Sequence, residues 1–239
     1  MNSDSPNENQ QEKKPKGKVR ENIEALVVAI ILALFIRTFI IQAFKIPSGS
    51  MLDTLQIGDH ILVNKFIYGI KIPFIHKTLI PIKDPKKGDI IVFIYPIDKR
   101  DFIKRVIAVG GDTLEIKDKK IYINGEWTGE KKYERFESPD IIPSIIPRDK
   151  FEEIWLDQLN RFGDLESMDS RFIKDNFGPI TIPKGKLFVM GDNRDNSHDS
   201  RFWGFVPLDA VLGKAVIIYW SWDSEHFGVR WNRIGRILK

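Results

Sequence analysis

The sequence predicts a mainly β protein: antiparallel, barrel-like sheets with a small α+β insertion, preceded by one N-terminal transmembrane helix. Beyond residue 45 the apolar residues alternate with a period of two, which is typical of strands. The 13 Pro among 239 residues favour many short strands joined by tight turns. We expect a tail over residues 1–22, an anchor over 23–44, a β core from 45–125 and 180–239, and an inserted subdomain over 126–179.

The N-terminal region predicts a single-pass anchor. Residues 1–22 are too polar to fold, and their Lys and Arg precede an apolar run from Ala25 to Ile36, as on the cytoplasmic side of a membrane span. That run is about 18 Å long as a helix, so it must continue to Phe44 to cross a hydrocarbon core of about 30 Å. A cleavable signal peptide and a buried helix remain alternatives. Arg37 fits poorly inside a signal core, and the turn at Pro47 follows at once, so the anchor is favoured.

Short runs rich in Ile, Val, Phe and Tyr are the predicted strands. They cover Ile61–Phe66, Ile90–Tyr95, Phe102–Val109, Leu114–Ile116, Lys120–Ile123, Lys186–Met190 and Ala215–Trp222. Gly- and Asn-containing turns separate them at 110–112, 118–119, 124–125 and 183–185.

One helix is predicted inside the 126–179 insertion, where the composition becomes charged. Asp149 and Glu152 have the spacing of a capping box, and Gly163 can end the helix. Its apolar face, recurring at helical spacing, consists of Phe151, Ile154, Trp155, Leu159 and Phe162.

Composition excludes several kinds of site. The absence of Cys removes thiol nucleophiles, disulfides and Cys-based zinc sites. His60, His76, His198 and His226 show no paired ligand spacing, so we expect no metal and no other cofactor. The net charge of +4 is spread along the chain without a recognition helix or basic stripe, which argues against nucleic acid. A basic surface beside acidic phospholipid is the favoured interpretation.

Ser50 stands directly after the apolar segment, in the turn Pro47-Ser48-Gly49-Ser50. A Ser here is ordinarily a turn residue, and its hydroxyl needs a neighbouring base to act as a nucleophile. The triplet Ser197-His198-Asp199 does not supply a triad, because consecutive side chains on an extended segment point to opposite faces. A conventional triad therefore has no clear candidate, although it remains possible.

Lys104 is the better candidate for a base. It shares a predicted strand face with Phe102, Val106 and Ala108. Such a Lys usually extends its ammonium to solvent, but burial would lower its pKa and leave a neutral amine able to accept the Ser50 proton. The residues alone leave both outcomes open.

The densest polar run is Gly191–Arg201. A calcium loop is disfavoured, because Val206 occupies the twelfth position counted from Asp195, where an acidic ligand belongs. Loop solvation and a polar shell that orients a buried amine both remain possible.

Three blocks together resemble bacterial type I signal peptidases. They are Pro47–Met51, Phe102–Val106 with Gly110–Asp112, and Gly191–Ser197 with Asp199–Arg201. They occur in the family's order behind an N-terminal anchor. The resemblance extends from about Ala33 to Val206, and weakly to the C-terminus.

The resemblance implies a mainly β endopeptidase of the bacterial inner membrane, with its N-terminus cytoplasmic and its catalytic domain outside. It would release exported preproteins from their signal peptides after an Ala-x-Ala sequence. Ser50 matches the nucleophile, Lys104 the general base and Ser197 the hydroxyl that positions the lysine amine. Ser48 matches the side chain that joins the Ser50 N–H in the oxyanion hole.

Two further sets of residues follow from the same matching. The supporting ion pairs would use Arg105, Arg194, Asp199 and Arg201. The walls of two shallow pockets for small substrate side chains would be Phe44, Ile46, Pro47, Met51, Leu55, Ile61, Val92, Phe102 and Ile103. We also expect the segment from Phe39 to Phe44, with aromatic residues such as Trp203, to contact lipid.

Asp53 departs from the family, which usually has Pro there. Two rival functions remain: a Ser-Lys peptidase of the self-cleaving repressor kind, and a non-catalytic membrane-tethered β adaptor. The first carries a DNA-binding helical domain where this chain has an apolar segment. The second would need neither Ser50 nor Lys104.

Overall fold

The structure, a computed structural model, describes residues 18–71, 78–166 and 173–238. Most of the predicted tail and His76 lie outside these ranges.

The N-terminal apolar segment is only partly helical. Helix α1 spans Lys18–Phe35, a π-helical turn spans Ile36–Ile40, and strand β1 spans Ile41–Lys45. The last part of the predicted anchor, 41–44, is therefore extended, because it pairs antiparallel with the strand that begins at Asp59. Within the described residues, no helix has the length and apolar character needed to cross a membrane.

The remaining strands confirm the mainly β prediction. In chain order they are β2 (Asp59–Asn64), β3 (Gly69–Lys71), β4 (Thr78–Pro81), β5 (Ile90–Ile94), β6 (Asp101–Val109), β7 (Thr113–Lys117), β8 (Lys120–Ile123), β9 (Glu126–Trp127), β10 (Phe177–Thr181), β11 (Lys186–Met190), β12 (Val206–Pro207), β13 (Val211–Asp223) and β14 (Gly228–Val229). Every pairing between these strands is antiparallel.

The main sheet has eight strands in the order β1-β2-β13-β5-β6-β11-β12, with β14 added beside β13. No pairing between described strands joins β1 to β12, so hydrogen bonds do not close the sheet into the barrel-like form that the sequence predicts. Successive residues of β5 enter two hydrophobic clusters: Ile91 and Phe93 pack in one, and Ile90 and Val92 in the other. This alternation follows from the two-residue period of a strand.

A second sheet has the order β10-β7-β8-β9. Strand β10 crosses the predicted boundary at residue 180, because its Phe177 and Ile180 pair with Ile116 and Leu114 of β7. Residues 113–123, assigned from sequence to the β core, thus lie in the same sheet as the end of the predicted insertion.

Helix α2 spans Phe151–Phe162 and ends at Gly163, whose φ is 73°. Trp155 packs edge-on against Phe177 and Phe205. The predicted capping box is wrong, since the helix has no side-chain cap. Glu152 instead accepts a hydrogen bond from the Thr181 N–H at 2.8 Å, which joins the helix to β10.

Candidate active site

Ser50 and Lys104 lie side by side although they are far apart in the sequence. The Lys104 Nζ and Ser50 Oγ atoms are 2.8 Å apart, a normal hydrogen-bond distance. Lys104 lies in the middle of β6, and Ser50 lies in the turn between β1 and β2. The two elements thus bring a hydroxyl and an amine into direct contact.

Lys104 is buried, with 4% of its surface exposed. Burial lowers the pKa of its amine from 10.5 to about 8, while Asp199 and Asp192 act in the opposite direction by favouring the cation. The ring centroid of Phe102 lies 5.5 Å from Nζ. Desolvation therefore outweighs the two carboxylates, and about a tenth of the Lys104 amine is neutral at pH 7.

The turn that carries Ser50 is bound to the loop that follows β11. The Asn193 N–H donates to the Ser50 carbonyl at 3.1 Å. Position 191 must be Gly, because a Cβ atom there would lie 2.3 Å from both the Ser50 carbonyl oxygen and the Ser197 Oγ. This close approach explains the Gly that opens the polar run.

Two buried ion pairs flank Lys104. Arg105 donates two hydrogen bonds of 2.7 Å to Asp192, and Arg201 donates two of 2.9 Å to Asp199. All four groups are at most 2% exposed. Such bidentate pairs fix both partners in orientation, so the two carboxylates act on Lys104 from fixed positions.

Thr54 links the nucleophile turn to the first of these pairs. Its hydroxyl donates to Asp192 at 2.5 Å, and its carbonyl accepts a bond of 3.0 Å from Arg233. Arg233 also pairs with the buried Asp59. Sequence analysis missed Asp192 and Thr54 as individual residues; Asp192 lay in the polar run, whereas nothing in the sequence distinguishes Thr54.

Ser197, matched to the hydroxyl that positions the lysine amine, is buried in the loop that follows β11. Its Oγ accepts a bond of 3.1 Å from the Gly191 N–H. Burial raises the pKa of Asp199, but the charge and hydrogen bonds of Arg201, with a smaller contribution from the Ser197 hydroxyl, lower it overall. Within the described residues, no hydrogen bond joins Ser197 to Lys104. Ser197 therefore acts on the Asp199 carboxylate, which in turn favours the Lys104 cation.

Ser48, matched to the oxyanion hole, lies exposed in the same turn as Ser50. Among the described residues, no acceptor is bound to the Ser48 hydroxyl or the Ser50 N–H. Both donors are thus available to a substrate oxygen.

The predicted pocket residues differ in how deeply they are buried. Met51, Leu55 and Ile61 are 0% exposed, so they support the site from below. Phe44 and Ile103 are partly buried and pack against the hydrophobic cluster to which these three residues belong. Ile46 and Val92 are buried members of the cluster that contains Met51. Phe102 packs against the other cluster, which contains Phe93, and Pro47 is exposed.

Three further predicted residues are placed as follows. Arg194 is 2% exposed and pairs with Glu134 at 3.0 Å. Asp53 forms an exposed ion pair of 2.7 Å with Arg135. Trp203, expected at the lipid surface, is 5% exposed because it packs against Phe93 and Tyr95; that expectation is wrong.

A serine hydroxyl in contact with a desolvated lysine amine has the chemical groups that a serine hydrolase with a lysine base requires. The antiparallel sheets hold these groups beside two fixed carboxylates.

Comparison with known proteins identifies the family. The family model "Signal peptidase, peptidase S26" matches residues 19–220. Signal peptidase I of Pseudomonas aeruginosa is 40% identical, covering 87% of this chain and 75% of the relative. That of Buchnera aphidicola is 42% identical over 87% and 79%, and that of Aquifex aeolicus 38% identical over 85% and 85%. The chain belongs to the S26 signal peptidase family of serine peptidases.

Proposed function

We propose that this chain is the endopeptidase that releases exported preproteins from their N-terminal signal peptides, with Ser50 as nucleophile and Lys104 as general base. The neutral amine takes the Ser50 proton as the hydroxyl oxygen attacks the scissile carbonyl. The same amine, once protonated, returns the proton to the leaving nitrogen, and water then hydrolyses the acyl-enzyme. Ser48 and the Ser50 N–H stabilise the oxyanion, a role in which one donor is typically worth about 10²–10³ in rate.

The single observation that carries this proposal is the 2.8 Å contact between Lys104 Nζ and Ser50 Oγ. This contact can support catalysis because Lys104 is only 4% exposed. Burial favours the neutral amine, and only a neutral amine accepts a proton. Ser197 and Arg201 act indirectly, because they hold the Asp199 carboxylate, which favours the Lys104 cation.

A preprotein cleavage assay tests the proposal. We expect wild-type protein to release the mature product, and Ser50→Ala and Lys104→Met to release none. Lys184→Met is the matched control, because Lys184 is an exposed lysine in a turn. Undiminished cleavage by either dyad variant would exclude the dyad, and the absence of cleavage by all proteins, including wild type, would favour the adaptor.

We propose that the substrate binds as an extended strand beside β1. This strand is at one edge of the main sheet, and an exposed edge can accept an added strand. Phe44, Phe102 and Ile103 then line the pockets for the residues one and three positions before the cut. Enlarging a preprotein's Ala at either position to Leu should lower kcat/KM, whereas the same change two positions before the cut should not.

We propose that α1, together with the π-helical turn Ile36–Ile40 that continues it, holds the chain at the inner membrane, with the N-terminus cytoplasmic and the β domain outside. The support is that α1 exposes large apolar side chains, among them Leu26, Val28 and Ile31, each at least 60% exposed. Exposed Trp220, Trp222 and Trp231 offer a second contact with phospholipid. Protease added outside intact spheroplasts should digest the β domain; its full protection would contradict this orientation.

A further inference from the structure

Tyr95 lies directly behind Phe102, one of the residues that line the proposed substrate pockets. The two rings are stacked, with centroids 4.4 Å apart and planes 4° from parallel. Tyr95 is 3% exposed, and Trp203 packs edge-on against its ring at a centroid distance of 5.3 Å. Because a close-packed interior transmits such constraints, the position of the Tyr95 ring limits how far the Phe102 ring can withdraw.

Phe102 belongs to the pocket nearest the nucleophile. Its ring centroid lies 5.5 Å from the Lys104 Nζ atom, which contacts the Ser50 hydroxyl at 2.8 Å. The substrate side chain closest to the nucleophile is that of the residue whose carbonyl is attacked, one position before the cut. The Phe102 ring, which is only partly buried, is therefore placed to limit the size of that side chain.

One carboxylate holds Tyr95 in place. The Tyr95 hydroxyl donates to Asp164 Oδ2 at 2.7 Å. The other oxygen, Oδ1, lies 2.9 Å from His198 Nε2 and accepts a bond of 2.9 Å from the Glu166 N–H. Burial raises the pKa of Asp164, but the hydrogen bonds from Tyr95 and His198 lower it overall, so the carboxylate is ionised at neutral pH. A hydrogen bond to a charged acceptor is about twice as strong as a neutral one.

We propose that Asp164 is a positioning residue that sets the size limit for the substrate residue one position before the cut, acting through Tyr95 on the Phe102 ring. Asp164 follows helix α2, so the predicted insertion over 126–179 takes part in substrate selection. Without this carboxylate, the buried Tyr95 hydroxyl loses the acceptor that the described residues provide. The ring must then shift towards another partner, which lets Phe102 withdraw and widens the pocket.

This inference rests on the proposed function, and two preproteins that differ only in Ala or Val one position before the cut test it. The measurement is the ratio of their kcat/KM values, which does not depend on the amount of folded enzyme. Wild type should prefer Ala, and Asp164→Ala should lower this ratio about threefold to tenfold. Asp164→Asn, which keeps an acceptor oxygen, should retain most of the wild-type ratio. Asp157→Ala, which removes an exposed carboxylate of α2, should leave it unchanged.

A double-mutant cycle tests the path through the Tyr95 hydroxyl. Tyr95→Phe removes this hydroxyl and should lower the ratio by itself, and adding Asp164→Ala should lower it no further. If Asp164→Ala does not fold, Tyr95→Phe decides, because it keeps the ring.

The outcomes separate this inference from the proposed function. An equal loss of kcat/KM on both substrates, with the wild-type ratio retained, would show a merely structural role for Asp164 and overturn the inference. An undiminished effect of Asp164→Ala in the Tyr95→Phe background would also overturn it. The absence of cleavage by wild type would instead refute the proposed function itself.

Discussion

Replacing Lys104 with Met should abolish cleavage and also stabilise the fold at neutral pH. Burial holds the pKa of Lys104 at about 8 in the folded chain, against 10.5 for an ordinary lysine. The unfolded chain therefore binds this proton more tightly, which costs the folded state about 3 kcal/mol at pH 7. Met fits a buried position without this cost.

The hydrogen bond to Ser50 reduces the expected gain. Its loss costs about 1 kcal/mol, so Lys104→Met should be about 2 kcal/mol more stable than wild type at pH 7. The destabilisation of the wild-type protein by Lys104 has its full value below pH 8, and it disappears as the pH rises towards 10.5. Above that pH the variant should be the less stable protein by about 1 kcal/mol.

Urea unfolding of both proteins at pH 7, 9 and 10.5 measures this difference directly. Lys184→Met is the control, because an exposed lysine should give a difference that does not change with pH. If Lys104→Met is no more stable than wild type at pH 7, or if their difference does not change between pH 7 and 10.5, the claim that Lys104 is desolvated is refuted.

Three other substitutions have definite outcomes. Gly191→Ala places a methyl group against the Ser50 carbonyl oxygen, so it should lose most activity and about 1–3 kcal/mol of stability, measured by cleavage and urea unfolding; wild-type activity would contradict the close approach. Asp192→Asn removes the charged partner of the buried Arg105 guanidinium and should cost about 3–5 kcal/mol in urea; a cost below about 1 kcal/mol would contradict the burial of this ion pair. Trp155→Phe removes the 2.9 Å bond from the indole N–H to the Arg201 carbonyl, in the Ser200–Trp203 helix. It should cost about 1–3 kcal/mol of stability in addition to the packing lost with the smaller ring; an unchanged urea midpoint would contradict a stabilising role for this bond.

The sequence predicts strands well where their pairing partners are close along the chain. The predicted strands at Phe102–Val109 and Lys120–Ile123 match β6 and β8 to within one residue. Strand β1 was missed, because its five residues continue an apolar run and only pairing with β2 makes them extended. Strand β10 contains Pro179, which argues against a strand in the sequence.

The candidate site was predicted from motifs rather than from spacing. Ser50 and Lys104 were selected by resemblance, since periodicity alone left Lys104 either buried or exposed. The contacts that fix them are long-range: Thr54 reaches Asp192 across 138 residues. Neither local propensity nor hydrophobic pattern carries information about such contacts, so the partners of the polar run could not be derived from the sequence.

The pH dependence of kcat/KM on a signal-peptide substrate tests the central claim most directly. If the neutral Lys104 amine is the base, kcat/KM should rise about tenfold per pH unit below pH 8 and level off above it. A profile that is flat between pH 6 and pH 8 would contradict a lysine base.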